Sequence, residues 1–257
     1  MPDVHNTAII DGRAELGEGV VVGPYAVVDG PAVIGAGTSI GPHAVLEGAV
    51  TLGEGCRIFS HAVLGTIPQD LKFEGEESDL TIGNGTTIRE FVTINRGTKA
   101  LRTTRVGANC LLMAYSHVAH DCVLGENVVL ANCATVAGHV EIGEYAFVGG
   151  LSAVHQFSRI GKHAYIGGMS RVSQDIIPYG LTASDPTRVV GVNVIGLQRR
   201  GVPAETRTAL KRAYQIIYRE DLNTAQAVGK LEAELGQVAE VRDVIDFLKK
   251  TERGILK

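Results

Sequence analysis

Aliphatic residues recur at every sixth position of this chain for most of its length. Counting in steps of six from Val4 to Val172 gives 29 positions, and 26 of them are Val, Ile or Leu. A glycine often follows the aliphatic residue, and a small residue usually stands two positions before it. An α-helix is excluded because its apolar face repeats about every 3.6 residues. The period predicts a solenoid of short strands, in which each aliphatic side chain stacks on its equivalents in the neighbouring coils.

The six-residue period is interrupted twice before it ends. The stretch 66–80 is polar and charged, and the stretch 97–104 is a shorter interruption. We expect both stretches to leave the wall as loops, which on a rigid scaffold most often carry function. The solenoid is therefore predicted to span residues 1–177.

The remainder, residues 178–257, is predicted to form a connecting segment and a small helical domain. Glycines and a proline up to Asn193 fit a connecting segment, and helical patterns begin near Pro203, Asn223 and Val238. A helical domain at this place would cap the open edge of the last coil.

Charge is distributed unevenly along the chain. The formal net charge is -4, but residues 188–257 carry 13 Lys and Arg against 9 Asp and Glu. This basic end could receive an acidic partner, but no nucleic-acid-binding motif accompanies it. No apolar run approaches the roughly 18 residues of a membrane span, and the N-terminus lacks a signal-peptide layout. We expect a cytoplasmic protein with no nucleic-acid partner and no stable membrane insertion.

The stretch 114–125 places His117, His120 and Asp121 in an otherwise aliphatic pattern. If three sides of six residues make one coil, position 138 follows His120 after one coil and position 156 after two. His120, His139, His155 and Gln156 should then lie along one edge, within about 10 Å.

These residue types suit proton transfer. A histidine has the intrinsic pKa for removing a proton near neutral pH, so His120 is the candidate base. Asp121 could orient its imidazole, provided that a corner turns the two side chains together, and the N–H of Gly138 could stabilise an oxyanion. Three imidazoles could instead bind zinc, but the spacing matches no dedicated metal site, and the four cysteines form no CxxC pair. We expect no metal.

Short segments spread over the whole chain resemble a known enzyme family. They are Gln69–Lys72, Val92–Thr98, Ala119–Cys122, Ala137–Val140, Ala153–Phe157, Gly191–Asn193, Arg199–Gly201 and Thr251–Gly254. The chain resembles the acyl-carrier-protein–UDP-N-acetylglucosamine O-acyltransferases that begin lipid A synthesis, which are hexapeptide-repeat acyltransferases. The resemblance implies a mainly β fold: a left-handed parallel β-helix followed by a small C-terminal α-helical domain. It also implies a homotrimer with active sites between subunits.

The resemblance assigns roles to particular residues. His120 matches the general base that deprotonates the sugar 3-hydroxyl for attack on the thioester of a 3-hydroxyacyl acyl carrier protein, Asp121 matches its partner and Gly138 the oxyanion donor. The expected substrate contacts are Asp70 and Lys72 from a neighbouring subunit, His139, His155 and Gln156 at the sugar and acyl group, and Asn193, Arg199 and Arg200 at the nucleotide. Gly168 and Met169 match the region that limits acyl length. No cofactor is implied, because the carrier's phosphopantetheine delivers the acyl group.

Two further expectations concern the nucleotide and the carrier. The guanidinium groups of Arg199 and Arg200 suit a diphosphate. Basic residues beyond them, Arg207, Lys211, Arg212 and Arg219, extend a face on which an acidic carrier could dock.

Departures from the family pattern leave the acceptor open. Asn95 stands where the family often has His, and Ile195 stands where it has an acidic residue. The acceptor could therefore be a 3-amino rather than a 3-hydroxyl sugar. The later N-acyltransferase of the same pathway carries an extra N-terminal domain, for which a repeat beginning at Val4 leaves no room. A coenzyme A-dependent acetyltransferase and a non-catalytic solenoid scaffold are also compatible with the repeat.

Overall fold

The computed structural model describes residues 1–257 and consists of a triangular parallel β-helix followed by four helices. Three parallel sheets, here called faces A, B and C, form its walls. Face A contains Asp3–Val4, Val21–Val22, Ser39–Ile40, Arg57–Ile58, Thr87–Ile88, Leu111–Leu112, Val129–Leu130, Phe147–Val148, Tyr165–Ile166, Gly180–Ser184 and Thr187–Val192. Face B contains Ile9–Ile10, Val27–Asp29, Val45–Glu47, Val63–Thr66, Thr93–Asn95, His117–Val118, Thr135–Val136, Ala153–Val154 and Arg171–Val172. Face C contains Glu15–Leu16, Val33–Ile34, Ala49–Leu52, Asp79–Ile82, Thr103–Val106, Val123–Leu124, Glu141–Ile142 and Arg159–Ile160.

The register shows why a six-residue period builds this wall. In the regular coils a residue pairs with its equivalent three periods later, as Val129 pairs with Phe147, so each face takes one period. The second residue of each two-residue strand points inward: Leu112, Leu130 and Val148 stack in one column and are fully buried. The predicted solenoid of stacked aliphatic residues is thus confirmed, and helices follow it as expected.

The three edges of the prism are short corners, which turn through a left-handed residue. We name them edge AB (for example 131–134), edge BC (119–122, 137–140 and 155–158) and edge CA (143–146 and 161–164). The third residue of nearly every regular corner has a φ near +60°, and most of these residues are not glycine. The side chain of such a residue projects from the edge in a direction that a flat strand would not allow.

The chain leaves the wall twice, and both times at edge BC. In face B the regular step from Val45 to Val63 is followed by longer steps, from Val63 to Thr93 and from Thr93 to His117. The extra residues lie between Thr66 and Asp79 and between Asn95 and Thr103, and we call 67–78 the first loop and 96–102 the second loop. On this edge the second loop lies one coil before the corner that carries His120, and the first loop lies two coils before it.

The connecting segment after the last coil contains regular elements that the sequence pattern did not identify. The expected connecting segment contains an antiparallel hairpin, Gly180–Ser184 with Thr187–Val192, which extends face A. A short helix that we did not predict, α1 (Val194–Arg199), follows it. The reason is local: Asn193 caps α1 by accepting a hydrogen bond from the N–H of Gly196, and the hairpin pairs with Tyr165–Ile166 in the wall.

The predicted helices are α2 (Ala204–Arg219), α3 (Thr224–Leu235) and α4 (Ala239–Lys249). They share a second hydrophobic cluster that includes Ile177 and Tyr179 of the last coil. The C-terminal segment also closes the solenoid, since Asp175 accepts hydrogen bonds from the N–H of Leu256 and the hydroxyl of Thr251. A domain boundary at residues 177 and 178 stays a prediction. None of the helices is long and apolar enough to cross a membrane.

The inward column should dominate the stability of the fold. Leu130→Ala removes a fully buried side chain between Leu112 and Val148, so we expect the free energy of unfolding to fall by about 2–5 kcal/mol. Val123→Ala, on the partly exposed outer side of face C, should cost less than about 1 kcal/mol. Urea unfolding of the two variants measures the difference, and equal losses would contradict the stacked core.

Candidate functional site

His120 and Asp121 occupy the same corner of edge BC. Asp121 has a φ of +57°, and this left-handed turn brings its side chain to the side of His120. His120 Nδ1 lies 2.8 Å from Asp121 Oδ2. The corner therefore turns the two adjacent side chains to the same side, which a straight strand could not do, and they form a hydrogen-bonded pair.

Asp121 is fully buried and accepts hydrogen bonds from the second loop. Its Oδ1 accepts from the N–H groups of Thr98 and Leu101, both at 3.0 Å, and its Oδ2 accepts from the Thr98 hydroxyl at 2.7 Å. Burial opposes ionisation of Asp121, but the hydrogen bonds from His120, Thr98 and Leu101 outweigh burial and hold its pKa below the ordinary value. The carboxylate is therefore charged throughout the neutral range.

With Asp121 ionised, the orientation of His120 follows. The carboxylate can only accept hydrogen bonds, so the proton of a neutral imidazole resides on Nδ1. Nε2 then carries the free lone pair. The His120 side chain is 13% exposed at this edge.

Gly138 stands one coil beyond His120, against its ring. A Cβ built at Gly138 would lie 2.7 Å from both Cε1 and Nε2 of His120, so only glycine leaves room for the imidazole in this position. The N–H of Gly138 donates no hydrogen bond to the chain. A free backbone donor and a basic nitrogen thus adjoin at one place on edge BC.

His139 lies beside the pair and is stacked on Phe157. Its Nε2 is 3.8 Å from Asp121 Oδ2, and the ring centroids of His139 and Phe157 are 4.5 Å apart. Burial lowers the pKa of His139, while the charges of Asp121 and Asp70 raise it and that of His120 lowers it. His139 is therefore neutral at neutral pH. His155 and Gln156 are exposed on the next coil of the same edge.

The ligand atoms of His120, Asp121 and His139 lie within 4.8 Å of one another, as in a metal site. Their hydrogen bonds favour a different use. Asp121 accepts four hydrogen bonds from the chain, which occupy about all four of its lone-pair positions. A metal ion would have to displace His120 or the second loop, so the donor set fits proton transfer better than metal binding.

The first loop brings Asp70 toward this edge within the same chain. The charge of Asp70 raises the pKa of His139, and Asp70 Oδ1 accepts a hydrogen bond from the N–H of Lys72. The Lys72 side chain is exposed. Asn95, one of the departures, is buried and anchors this loop by donating to Thr66 Oγ1 and the Ile67 carbonyl.

The expected nucleotide contacts lie on a different edge. Asn193 donates to the carbonyl of His163, and the Arg200 guanidinium lies 4.2 Å from the centre of the Tyr145 ring, both at edge CA. Arg199 is exposed in the last turn of α1. Burial and the nearby charges of Arg200 and Lys162 lower the pKa of His163 to about 4. One full face of the prism, roughly 15–20 Å wide at about 3.3 Å per residue, separates edge CA from the histidines.

Gly168 and Met169 lie on the third edge, AB. Met169 is 73% exposed there. One chain therefore distributes the candidate residues over all three edges and brings together only those of edge BC.

Family models match both parts of the chain. The model described as Udp N-acetylglucosamine O-acyltransferase, Domain 2, matches residues 175–256. The bacterial transferase hexapeptide model, of six repeats, matches residues 31–66 and 103–138.

Full-length relatives decide the family. The acyl-[acyl-carrier-protein]–UDP-N-acetylglucosamine O-acyltransferase of Aquifex aeolicus is 58% identical over 99% of this chain and 98% of its own length. The enzyme of the same name from Trichlorobacter lovleyi is 55% identical over 99% of both chains. The chain belongs to the UDP-N-acetylglucosamine O-acyltransferase family.

Solved structures of the family confirm the predicted fold class, a left-handed parallel β-helix with a small C-terminal helical domain. The LpxA of Acinetobacter baumannii matches with a TM-score of 0.97 at 39% identity, over 99% of both chains. The UDP-N-acetylglucosamine acyltransferase of Campylobacter jejuni matches with a TM-score of 0.93, also at 39% identity over 99% of both chains.

Sequence reasoning missed four residues of the site in this family member: Thr98, Leu101, Thr104 and Phe157. Thr104 accepts a hydrogen bond from the N–H of Asp121 at 2.9 Å. Thr98 and Leu101 lie in a loop that interrupts the regular coil, so arithmetic cannot align them with Asp121. Phe157 could have been found, because it follows His139 by one regular coil.

Gly138 offers a sharp test of the site's geometry. Gly138→Ala should displace the His120 ring and lower kcat by at least about tenfold, because a displaced base loses its alignment. Gly12→Ala is a matched control at the equivalent corner position of the first coil on edge BC, where a Cβ meets nothing within 4 Å. Steady-state kinetics and thermal melts should show that only the first variant loses activity. Unchanged kcat in Gly138→Ala would refute the close packing.

Proposed function

We propose that this chain transfers a 3-hydroxyacyl group from acyl carrier protein to the 3-hydroxyl of UDP-N-acetylglucosamine, the first step of lipid A biosynthesis. The observation that carries the proposal is the His120–Asp121 pair with the free N–H of Gly138 beside it. Full-length relatives at 43–58% identity bear the name of this activity, which favours an oxygen rather than a 3-amino acceptor.

The proposed reaction uses these groups in sequence. Nε2 of His120 removes the proton of the sugar hydroxyl as its oxygen attacks the thioester carbonyl. The ionised Asp121 stabilises the resulting imidazolium. The oxyanion of the tetrahedral intermediate accepts a hydrogen bond from the N–H of Gly138. Collapse expels the carrier thiolate, to which the imidazolium returns the proton. The steps balance without a metal or dissociable cofactor.

We assign substrate contacts by edge. His139, His155 and Gln156 contact the sugar and acyl group from edge BC, together with Asp70 and Lys72 of the first loop. Asn193, Arg199 and Arg200 contact the nucleotide from edge CA. Gly168 and Met169 limit acyl length from edge AB.

A homotrimer would unite these edges, and the outer surface of the prism indicates how. Face C carries charged outward residues such as Arg105, Glu141 and Arg159. Face A carries apolar ones in its C-terminal half, such as Val129 and Phe147. Edge AB carries a ridge whose exposed apolar side chains are Tyr25, Phe91, Tyr115, Leu151 and Met169. The rings of His43 and His61 continue the stack between Tyr25 and Phe91. A ridge of this length marks a contact surface, and the occupant we propose is a second and third copy of the chain.

Placing edge AB at a three-fold axis completes the site. Face B of one subunit then turns toward face A of the next, and the outer ends of these two faces are edge BC and edge CA. His120 of one subunit and Arg200 of its neighbour therefore flank the same cleft. The inner end of that cleft is edge AB, where Gly168 and Met169 would meet the end of the acyl chain.

The acidic carrier is proposed to dock on the basic residues of α2. Arg212 is the weaker candidate within this face, because it pairs with Glu220 at 2.7 Å and with Glu234 at 3.0 Å. Lys211 and Arg219 are exposed and remain candidates for docking. A cytoplasmic location stays a prediction.

The proposal is tested by acyl transfer in vitro. The purified protein, given UDP-N-acetylglucosamine and 3-hydroxyacyl carriers of several chain lengths, should form the 3-O-acyl product, and His120→Ala should lower kcat by about 10²–10⁴-fold through loss of the base. His5→Ala, an exposed histidine of the first coil, is the control and should retain full activity. Failure of every 3-hydroxyacyl carrier would sink the proposed function, whereas full activity of His120→Ala would remove only the base.

A further inference from the structure

Thr98 is the residue of the second loop whose side chain hydrogen-bonds the candidate site. Thr98 is 6% exposed and contacts Asp121 twice: its N–H donates to Oδ1 and its hydroxyl donates to Oδ2. The hydroxyl also accepts from the N–H of Ala100 at 3.2 Å. Both hydrogen-bonding directions of the hydroxyl are thus used, and its proton is directed at the carboxylate.

Oδ2 of Asp121 is shared between two donors. The Thr98 hydroxyl approaches it at 2.7 Å and His120 Nδ1 at 2.8 Å. Because Oδ1 is held by two backbone N–H groups, the carboxylate cannot rotate without losing hydrogen bonds in a buried site, where each loss is costly. The direction in which Oδ2 presents its remaining lone pair to His120 is therefore set by the Thr98 hydroxyl on Oδ2 together with the N–H groups of Thr98 and Leu101 on Oδ1.

The other groups around the pair do not perform this task. Thr104 contacts the backbone N–H of Asp121, not its carboxylate. Nε2 of His139 remains 3.8 Å from Oδ2, beyond hydrogen-bond distance. Asp70 acts on His139 through its charge alone. Besides His120, Thr98 is the one residue whose side chain hydrogen-bonds the Asp121 carboxylate.

We infer that Thr98 is a positioning residue for the acyl transfer: its hydroxyl fixes the Asp121 carboxylate, which in turn keeps the proton of His120 on Nδ1 and the lone pair on Nε2. The second loop is therefore a clamp on the base. This inference rests on the proposed role of His120. It gives a function to a loop whose other residues are largely exposed.

The test removes the hydroxyl and keeps the shape. Thr98→Val should lower kcat by about tenfold and leave KM for the sugar nucleotide within about twofold, because Thr98 acts through Asp121 and not on substrate. Thr98→Ser retains the hydroxyl and should restore kcat. If Thr98→Val folds poorly, the comparison of Thr98→Ser with Thr98→Ala decides in its place.

Thr86→Val is the matched control. Thr86 is fully buried in the wall, and its hydroxyl likewise donates one hydrogen bond, to the Gly107 carbonyl, and accepts one, from the N–H of Cys110. It should lose a similar amount of thermal stability and keep its kcat. An equal loss of kcat in Thr86→Val, or no rescue by Thr98→Ser, would overturn the inference.

A second readout needs no turnover. The imidazole ¹⁵N shifts of His120, assigned by comparison with His120→Ala, should report a single Nδ1–H tautomer in the native protein and in Thr98→Ser, and a mixture of tautomers in Thr98→Val. An unchanged tautomer in Thr98→Val refutes the clamp even if the protein is active. Absence of acyl transfer by the native protein refutes the proposed function and leaves the tautomer result to decide the clamp.

Discussion

Stacking of inward aliphatic side chains is the constraint on which the rest of this structure depends. Each regular coil must return the chain to the same column, so the residue number assigns a wall residue to a face or an edge outside the interrupted coils. The inward position is occupied by columns such as Leu112, Leu130 and Val148, which leaves the faces and edges for chemistry. A wall of this kind is rigid, and it holds its outward groups at fixed spacing along each edge.

The corners of this rigid wall position the side chains of the candidate site. A residue with a φ near +60° costs conformational energy outside glycine, yet the corner residue of edge BC at this height is Asp121. The turn lets a carboxylate lie beside the histidine that precedes it. Both insertions lie at the same edge: the second loop hydrogen-bonds Asp121, and the first loop brings the charge of Asp70 near His139. The second loop supplies three of the four hydrogen bonds that Asp121 accepts.

The sequence predicts the position of residues in those parts of the molecule that follow the six-residue repeat. A step of one regular coil brings Gly138 to His120. In the structure the two are so close that a Cβ added at Gly138 would collide with the His120 ring. The same arithmetic fails for Thr98, because the extra residues of the second loop lengthen the step from Thr93 to His117. It also fails after residue 178, where α1 depends on a single capping side chain, Asn193. A repeat in the sequence predicts only contacts that recur from coil to coil. It cannot predict a contact that a single loop or a single helix cap makes.

The remaining candidate residues lie on different edges of the prism. Motif resemblance assigns the histidines, Arg200 and Met169 to substrate contacts at sites between subunits, and the prism of one chain places them on three different edges. In the proposed trimer a second copy of the chain brings edge BC and edge CA to one cleft. Mixed trimers of His120→Ala and Arg200→Ala, purified through two affinity tags and assayed at a sugar-nucleotide concentration below KM, test this most directly. If each site takes His120 from one subunit and Arg200 from its neighbour, every trimer that contains both variants has one complete site out of three. The purified mixed trimers should therefore regain about a third of the native activity, and a mixture with the double variant should regain none. Mixed trimers no more active than the parent variants would contradict a shared site.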